Sequence, residues 1–218
     1  MLHYQTISEL LKISLQELMQ AEEFASFRLV GGTSLSLQRG HRKSLDIDLF
    51  TDSLYGSVNF DGIDNYLEHN FLYVDHIKDL HPGMGKSYLI GDSSDSAFKL
   101  DLYYTDPFMD EIRYEDAIRL ATEREICAMK LDVIQREGRK KDFWDIHELL
   151  ADFELASMLE LHKQRYPHNH DRELIIRNLT NFDRADEDFD PDCLKGKEWE
   201  FIKEDIIEHV ESLRSDKR

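Results

Sequence analysis

The stretch LVGGTSLSLQRGHRKSLDIDLFT, residues 29–51, sets two glycines and two carboxylates on either side of a basic segment. It begins as a short apolar strand, Phe27 to Val30, that runs into a turn at Gly31 and Gly32. A brief helix is predicted over Ser34 to Gln38, and Leu45 to Phe50 then alternates apolar with acidic residues, the period of a strand. Asp46 and Asp48 lie two apart on that strand. Side chains at i and i+2 leave one face about 6.5 Å apart, so the pair can converge on a hard cation, Mg²⁺ or Mn²⁺, that prefers oxygen ligands. Leu45, Ile47 and Leu49 are then expected to point into a core. An Asp-x-Asp pair on an exposed strand is unspecific by itself, and its context gives it weight. Backbone N–H groups at a glycine turn and helix start favour phosphate oxygens. Glycine permits close backbone approach, and Thr33 and Ser34 add hydroxyl donors.

Further along, Asp101 alternates with Leu100 and Leu102 in the predicted strand Phe98 to Tyr104. Three carboxylates on two strands would support two-metal phosphoryl chemistry, with ions about 3.5 to 4 Å apart. Asp101 could equally act as base toward an attacking hydroxyl, and its plain alternative is a surface position.

The remaining pattern divides the chain. Residues 6–22 read as an amphipathic helix, with Thr6 and Glu9 at capping-box spacing. A helix is predicted over 60–69 and strands over Phe71–Ile77 and Tyr88–Ile90, the last joined to Phe98–Tyr104 by a hairpin through Gly91–Ser96. From Thr122 the period becomes helical, Thr122 and Glu125 repeating the capping spacing. Further helices are predicted over 142–150, 154–165, 171–179 and 198–213. The acidic run Asp183 to Asp192 reads as an exposed connector stopped by Pro191. The division expected is a mixed α/β core over residues 1–115 and a helical region over 116–218 that completes a cleft.

Composition narrows the function. The chain of 218 residues carries a formal net charge of −18, which opposes a broad nucleic-acid face because such binding rests on phosphate neutralisation. Two basic islands interrupt it: Arg39, His41, Arg42 and Lys43, then Arg136, Arg139, Lys140 and Lys141. Cys127 and Cys193 form no metal-binding or disulfide pattern and suit a reducing compartment. No apolar run is long enough for a bilayer and the N-terminus lacks the layout of a secretory signal, so the expectation is a cytoplasmic protein with no membrane partner.

Several motifs lead elsewhere. Gly85-Lys86-Ser87 resembles the end of a P-loop, but the first glycine of that pattern is replaced by Leu80 and a strand, not a helix, follows. His162, His168 and His170 lack companions at metal-ligand spacing and are expected at the surface. His147 is expected to pack or hydrogen-bond among helices. Phe143 and Trp144 read as core aromatics, with a nucleobase border as the alternative.

The glycine pair, spacer and Asp-x-Asp resemble the nucleotidyltransferase signature. More closely, Arg42, Ser44, Asp46 and Asp48 resemble the Arg-x-Ser-x-Asp-x-Asp run of the AbiEii/AbiGii-type nucleotidyltransferases, toxin components of bacterial abortive-infection and toxin–antitoxin systems. Lys130, Arg136, Lys141, Asp142 and Phe143 match a second block, and Asp101 the third carboxylate. The resemblance covers residues 28–150. It implies an α+β, polymerase-β-like fold, a small mixed sheet flanked by helices, and transfer of a nucleotide from an NTP to an acceptor hydroxyl. In that family Asp46 and Asp48 would hold Mg²⁺, with Asp101 as third ligand or base. Gly31, Gly32, Thr33, Ser34, Arg42 and Ser44 would bind the nucleotide, Lys130 would contact phosphates, and Asp142 would be a polar anchor or catalytic acid. The basic islands become triphosphate neighbours. The acceptor could be tRNA, a protein or a small molecule such as an antibiotic, and an antitoxin partner is implied. A degenerate, non-catalytic binding domain is the alternative from another class.

Overall fold

The computed structural model describes residues 1–76 and 82–215. The first helix, α1 (Glu9–Gln20), starts at Ser8, whose Oγ accepts from Leu11 N at 3.2 Å. Thr6 is not the cap: its hydroxyl donates to His3 O inside a preceding 3-10 turn. Leu11, Leu15, Leu18 and Met19 form the buried stripe of α1.

Seven strands make one mixed sheet: β1 (Arg28–Leu29), β2 (Ile47–Thr51), β3 (Tyr73–Asp75), β4 (Gly85–Gly91), β5 (Phe98–Tyr104), β6 (Arg113–Glu115) and β7 (Ile118–Leu120), in the order β3-β4-β5-β2-β1-β7-β6. β2 pairs in parallel with β5 and antiparallel with β1, while β7 lies parallel to β1. Both edge strands are three residues long, which limits the unpaired backbone they offer to other chains. Ile77, the end of one predicted strand, and Leu80 of the rejected P-loop lie outside the described residues, and Gly85 opens a strand as expected.

The hairpin β6–β7 gave no sequence signal. Its two central residues, Asp116 and Ala117, hold φ of 50° and 63°, a turn usually marked by Asn-Gly or Asp-Gly. Arg119 fastens it, donating to the carbonyls of Phe27, Met19 and Phe24 at 2.7 to 2.8 Å. The sheet thus takes a strand from beyond residue 115.

One core lies between the sheet and α1 with α3 (Phe60–Asn70). A second gathers the helical half: α4 (Glu123–Gln135), α5 (Lys140–Leu149), α6 (Leu155–Arg165), α7 (Arg172–Leu179) and α9 (Trp199–Ser215), with the short α8 (Asp183–Asp186) beside them. Thr122 caps α4 by accepting from Glu125 N. The Glu125 carboxylate does not return the bond; it is buried and takes Asp110 N at 2.9 Å and Arg165 Nη1 at 2.7 Å. Phe143 and Trp144 belong wholly to this core, Trp144 stacking on Trp199 with centroids 5.7 Å apart. Among the described residues no helix is long and apolar enough to cross a membrane.

The run 183–192 is a strap. Asp188 takes Arg139 at 3.0 Å, Asp190 takes Lys140 at 2.8 Å, and Asp192 takes Lys43 at 2.9 Å. Lys43 N also donates to Asp192 O at 2.8 Å. Those basic residues are therefore occupied within the chain.

Candidate active site

The helix after β1, α2 (Gly31–Arg39), begins three residues earlier than its sequence predicts, so the glycines are its first turn. Both have steric reasons. Gly31 sits at φ +67°, and a Cβ there would stand 2.5 Å from Asp48 Oδ2. A Cβ on Gly32 would fall on the Arg42 guanidinium. The pair lets a carboxylate and a guanidinium press against the helix start. Val30 is the N-cap and supplies no capping side chain, so the first-turn N–H groups keep their affinity for an anion.

Thr33 and Ser34 point inward. Thr33 Oγ1 donates to Asp46 O and shares a 2.7 Å bond with Ser44 Oγ, and Ser34 Oγ accepts from Gln38 at 3.1 Å. Thr33 thereby fixes the segment that leads Asp46 into β2. That strand starts at Ile47, so Asp46 precedes it, and Leu45 is 72% exposed instead of facing a core.

Asp48 and Asp101 are direct neighbours across the β2–β5 pair. Burial, then the charges of Asp101 and Asp46, push the Asp48 carboxyl up to about 6, against the pull of Lys130 and Lys141. Among the described residues no hydrogen-bond donor reaches the Asp48 carboxylate. The side-chain partner of Asp46 among the described residues is Lys141 Nζ, 3.9 Å away. Asp101 accepts from Ser87 Oγ at 2.6 Å and Lys99 Nζ at 2.5 Å. Within the described residues the three acids do not form a closed cluster of three metal ligands. The donor set still fits Mg²⁺, which commonly takes one or two carboxylates and completes its shell with water and substrate phosphate.

Facing these acids is a buried network of Arg42, His41, Lys130 and Asp142 around Asp145, the member that the sequence did not single out. Asp145, with no exposed surface, accepts from Arg42 Nε and Nη2 at 2.7 and 2.8 Å, from His41 Nε2 at 2.7 Å, and pairs with Lys130 Nζ at 2.6 Å. Lys130 also donates to Asp142 Oδ1 at 2.7 Å, and Asp142 Oδ2 accepts Arg139 N at 3.0 Å, closing the start of α5. Burial opposes the Asp145 charge, yet Arg42 and Lys130 outweigh it and hold the carboxyl well below its usual range. Burial also works against Lys130, and Asp142 with Asp145 more than offset it, holding the ammonium at about 12. His41 is pushed down mainly by burial, so it is neutral and gives Asp145 its Nε2 proton. The available signal was Asp142 and Asp145 at i and i+3, on one face of a helix whose Phe143, Trp144, Ile146 and Leu149 are buried. Lys99 also had a signal, two residues from Asp101 on one strand face. Ser87 had none, because only the β4–β5 register brings it there.

These groups line a cavity of about 280 Å³ that holds Gly31, Gly32, Arg42, Ser44, Asp48, Lys130, Lys141 and Asp142. Asp101 stands beside Asp48 on the neighbouring strand, and Thr33 and Ser34 lie behind the wall. Of the basic islands, Arg42, Arg136 and Lys141 border the cavity; Arg39 instead pairs with Glu123 and Asp152. A larger cavity, about 550 Å³, lies by Lys86 and Tyr104 on the opposite sheet face and contains none of the three acids, so size does not locate the chemistry. His162 is fully buried, not superficial, with Nδ1 2.8 Å from His170 Nδ1, whereas His168 is exposed. His147 bonds Asp205 and Lys197 among the helices, as expected.

Similarity to known proteins extends over this whole arrangement. An uncharacterized protein of Aquifex aeolicus is 28% identical over 192 residues, 85% of this chain and 89% of that one. The fold is shared with a Helicobacter pylori protein provisionally assigned as a nucleotidyltransferase: TM-score 0.58, 17% identity, 95% of this chain and 93% of that one. It is shared also with MenT4, a nucleotidyltransferase toxin from Mycobacterium tuberculosis, at TM-score 0.54, 16% identity and coverage of 92% and 82%. The family model for the nucleotidyl transferase AbiEii toxin of type IV toxin–antitoxin systems matches residues 13–217, well past the second sequence block that ends at Phe143. With its acids, glycines and buried cations inside a match of that length, the chain belongs to the AbiEii nucleotidyltransferase family.

Proposed function

We propose that this nucleotidyltransferase moves a nucleotide from an NTP to an acceptor hydroxyl at Asp48, with a divalent metal, and serves as the toxin of a toxin–antitoxin pair. The observation carrying this reading is the Asp48 carboxylate, pressed on the Gly31 helix start without a donor and facing Arg42 and Lys130 across one cavity. A scaffold without catalysis gains nothing from an unpaired, half-buried carboxylate.

In this reading the triphosphate meets the first-turn N–H groups of α2, with Arg42, Lys130 and Lys141 as counter-charges. Asp142 and Asp145 keep Lys130 and Arg42 fixed, so little reorganisation accompanies the reaction. Asp46 and Asp48 would hold Mg²⁺ or Mn²⁺, which when bound supplies charge neutralisation on the phosphate oxygens. Asp101, on the far side of Asp48 from α2, takes the proton of the acceptor hydroxyl as its oxygen bonds the α-phosphorus. The bond from that phosphorus to the bridging oxygen breaks, and pyrophosphate leaves.

The test incubates the protein with Mg²⁺ and each α-labelled NTP, offering tRNA, total protein or small hydroxylated acceptors, beside Asp46→Ala/Asp48→Ala. Label transfer that the double variant lacks is expected. No transfer from any NTP, with nucleotide binding unchanged in the variant, overturns the catalytic reading. For the toxin role, induced expression should arrest growth, and the double variant should not.

A further inference from the structure

The cavity has a second chemistry at the end away from Arg42 and Ser44, where Phe50, Met129, Val133 and Tyr166 form an apolar wall and the Asp132–Arg136 pair sits at its lip. Resting on the reading of this cavity as an NTP site, we infer that this end is the nucleobase subsite, and that Tyr166 is the ring on which the base packs.

Three observations carry the inference. The lining has two chemistries: Gly32, Arg42 and Lys130 are drawn together around Asp145, whereas Phe50 follows Asp48 along β2 toward Tyr166, whose neighbour Arg165 bonds Thr105 and Asp106 past the end of β5, and Met129 and Val133 add apolar surface. A nucleotide has the same division, a polyanionic tail and a flat, weakly polar base. Next, the aromatic wall is fixed before any ligand arrives. Arg165 Nε donates to Tyr166 Oη at 3.1 Å, the Arg165 guanidinium lies 5.2 Å from the ring centroid, and the His162 ring packs 5.1 Å away. Arg165 is itself locked by the buried Glu125 carboxylate at 2.7 Å. Phe50 is braced in the same way by Tyr103, edge to face at 6.1 Å. Finally, Tyr166 also lines a second cavity, about 450 Å³, with Asp106, Pro107 and His168. The ring thus borders two spaces, and truncating it would leave a base without a surface. Arg136 has an exposed guanidinium whose partner among the described residues is Asp132, so it can turn toward the edge of a base packed on Tyr166.

Base–aromatic packing is worth roughly 5- to 150-fold in Kd, and this sets the expected size of the effect. The experiment measures binding of each of the four NTPs and of inorganic tripolyphosphate, all with Mg²⁺, to wild type, Tyr166→Ala and Val133→Trp. Tyr166→Ala should weaken the nucleotides about tenfold or more and leave tripolyphosphate unchanged; Val133→Trp, which fills the subsite, should do the same. Retained tripolyphosphate binding also certifies that each variant is folded. Nucleotide affinity unchanged in both variants overturns the subsite, as does an equal loss for nucleotides and tripolyphosphate in a variant whose thermal melt is that of wild type. Tripolyphosphate and nucleotides both failing to bind wild type overturns the NTP reading itself, and the subsite with it.

Discussion

Two sets of carboxylates meet at one cavity, Asp142 and Asp48 on its wall and Asp145 and Asp46 outside the lining, and they are treated in opposite ways. Asp142 and Asp145 are surrounded by cations: Lys130 bridges them, Arg42 grips Asp145 with two nitrogens, and His41 adds a third donor. Asp46 and Asp48 stand beside another acid with almost nothing to offset them. The first set is complete within the chain and is a structural clamp. In the second set the Asp48 charge is held at an electrostatic cost that a proton or an incoming cation relieves. One cavity therefore presents fixed positive charge and unsatisfied negative charge side by side, which is what a metal–triphosphate requires.

The largest test of this contrast is activity against stability. Asp48→Ala should lower kcat/KM by about three powers of ten or more, the several kcal/mol that metal-assisted charge stabilisation supplies. Its melting temperature should hold or rise, because the lost carboxylate was uncompensated. Asp145→Asn should invert the pattern in stability. It takes the carboxylate from buried Arg42 and leaves Lys130 with Asp142 alone of its two acids, and breaking such a buried pair costs about 3 to 5 kcal/mol, or roughly 6 to 20 °C in a chain of this size. Equal melting temperatures for the two variants would erase the distinction.

Titration sharpens it, since the signs differ. The Asp48 carboxyl is raised from its ordinary 3.8 to about 6, so in the metal-free protein the folded state holds its proton more tightly than the unfolded chain does. Its contribution to stability is full below about pH 4 and is lost as pH rises through about 6. Asp145 is displaced downward, so its contribution is present above its ordinary 3.8 and is lost as pH falls. His41, lowered from 6.5, also loses stability as pH drops below 6.5, because the unfolded chain takes the proton first. Because His41 acts in the opposite sense over the same window, the Asp48 contribution is read in urea melts as a difference: relative to Asp48→Asn, wild type should lose stability between pH 4 and 6, and added Mg²⁺ should remove that difference. An identical pH dependence in wild type and Asp48→Asn removes the claim of an uncompensated acid.

Much of the second set was legible from local spacing. Gly31-Gly32 and Asp46-x-Asp48 carry their meaning within 18 residues of chain, and the strand period set Asp101 on the face opposite Leu100 and Leu102, while only the β2–β5 register brings it beside Asp48. The first set was only half legible. Lys130 and Asp142 entered through a family resemblance, while Asp145 looks like any helical acid until the fold brings α2, α4 and α5 together around it. Basic islands misled for the same reason. Charge in sequence says nothing of its partner, and the strap 183–192 supplies partners for Arg139, Lys140 and Lys43 from a distant segment. Period reading also missed β6–β7, whose turn lacks glycine.

A smaller effect is expected where the helix start meets Asp48. Gly31→Ala puts an L side chain at φ +67° and 2.5 Å from Asp48 Oδ2. The backbone cost is about 1 to 2 kcal/mol, a melting shift of several degrees. The functional cost should exceed it, because a displacement of about 1 Å in a reacting group can remove about a hundredfold in rate. A loss of activity no greater than the loss of folded protein would show that Asp48 tolerates the push.

The smallest effect belongs to a third class of acid, the strap. Arg139 is 53% exposed in its pair with Asp188, and exposed pairs are worth about 0 to 1 kcal/mol. Arg139→Ala should therefore leave the melt within about 3 °C of wild type and leave NTP affinity unchanged, although this arginine sits three residues from Asp142. The backbone N–H that closes on Asp142 survives the substitution, so Lys130 keeps its position. A marked fall in nucleotide affinity in Arg139→Ala would move that guanidinium from the strap into the phosphate site, and would mean that the second basic island opens toward the cavity when ligand binds. Unchanged affinity separates acids that neutralise a surface from acids that build a site, a division made by the fold and not by the charge.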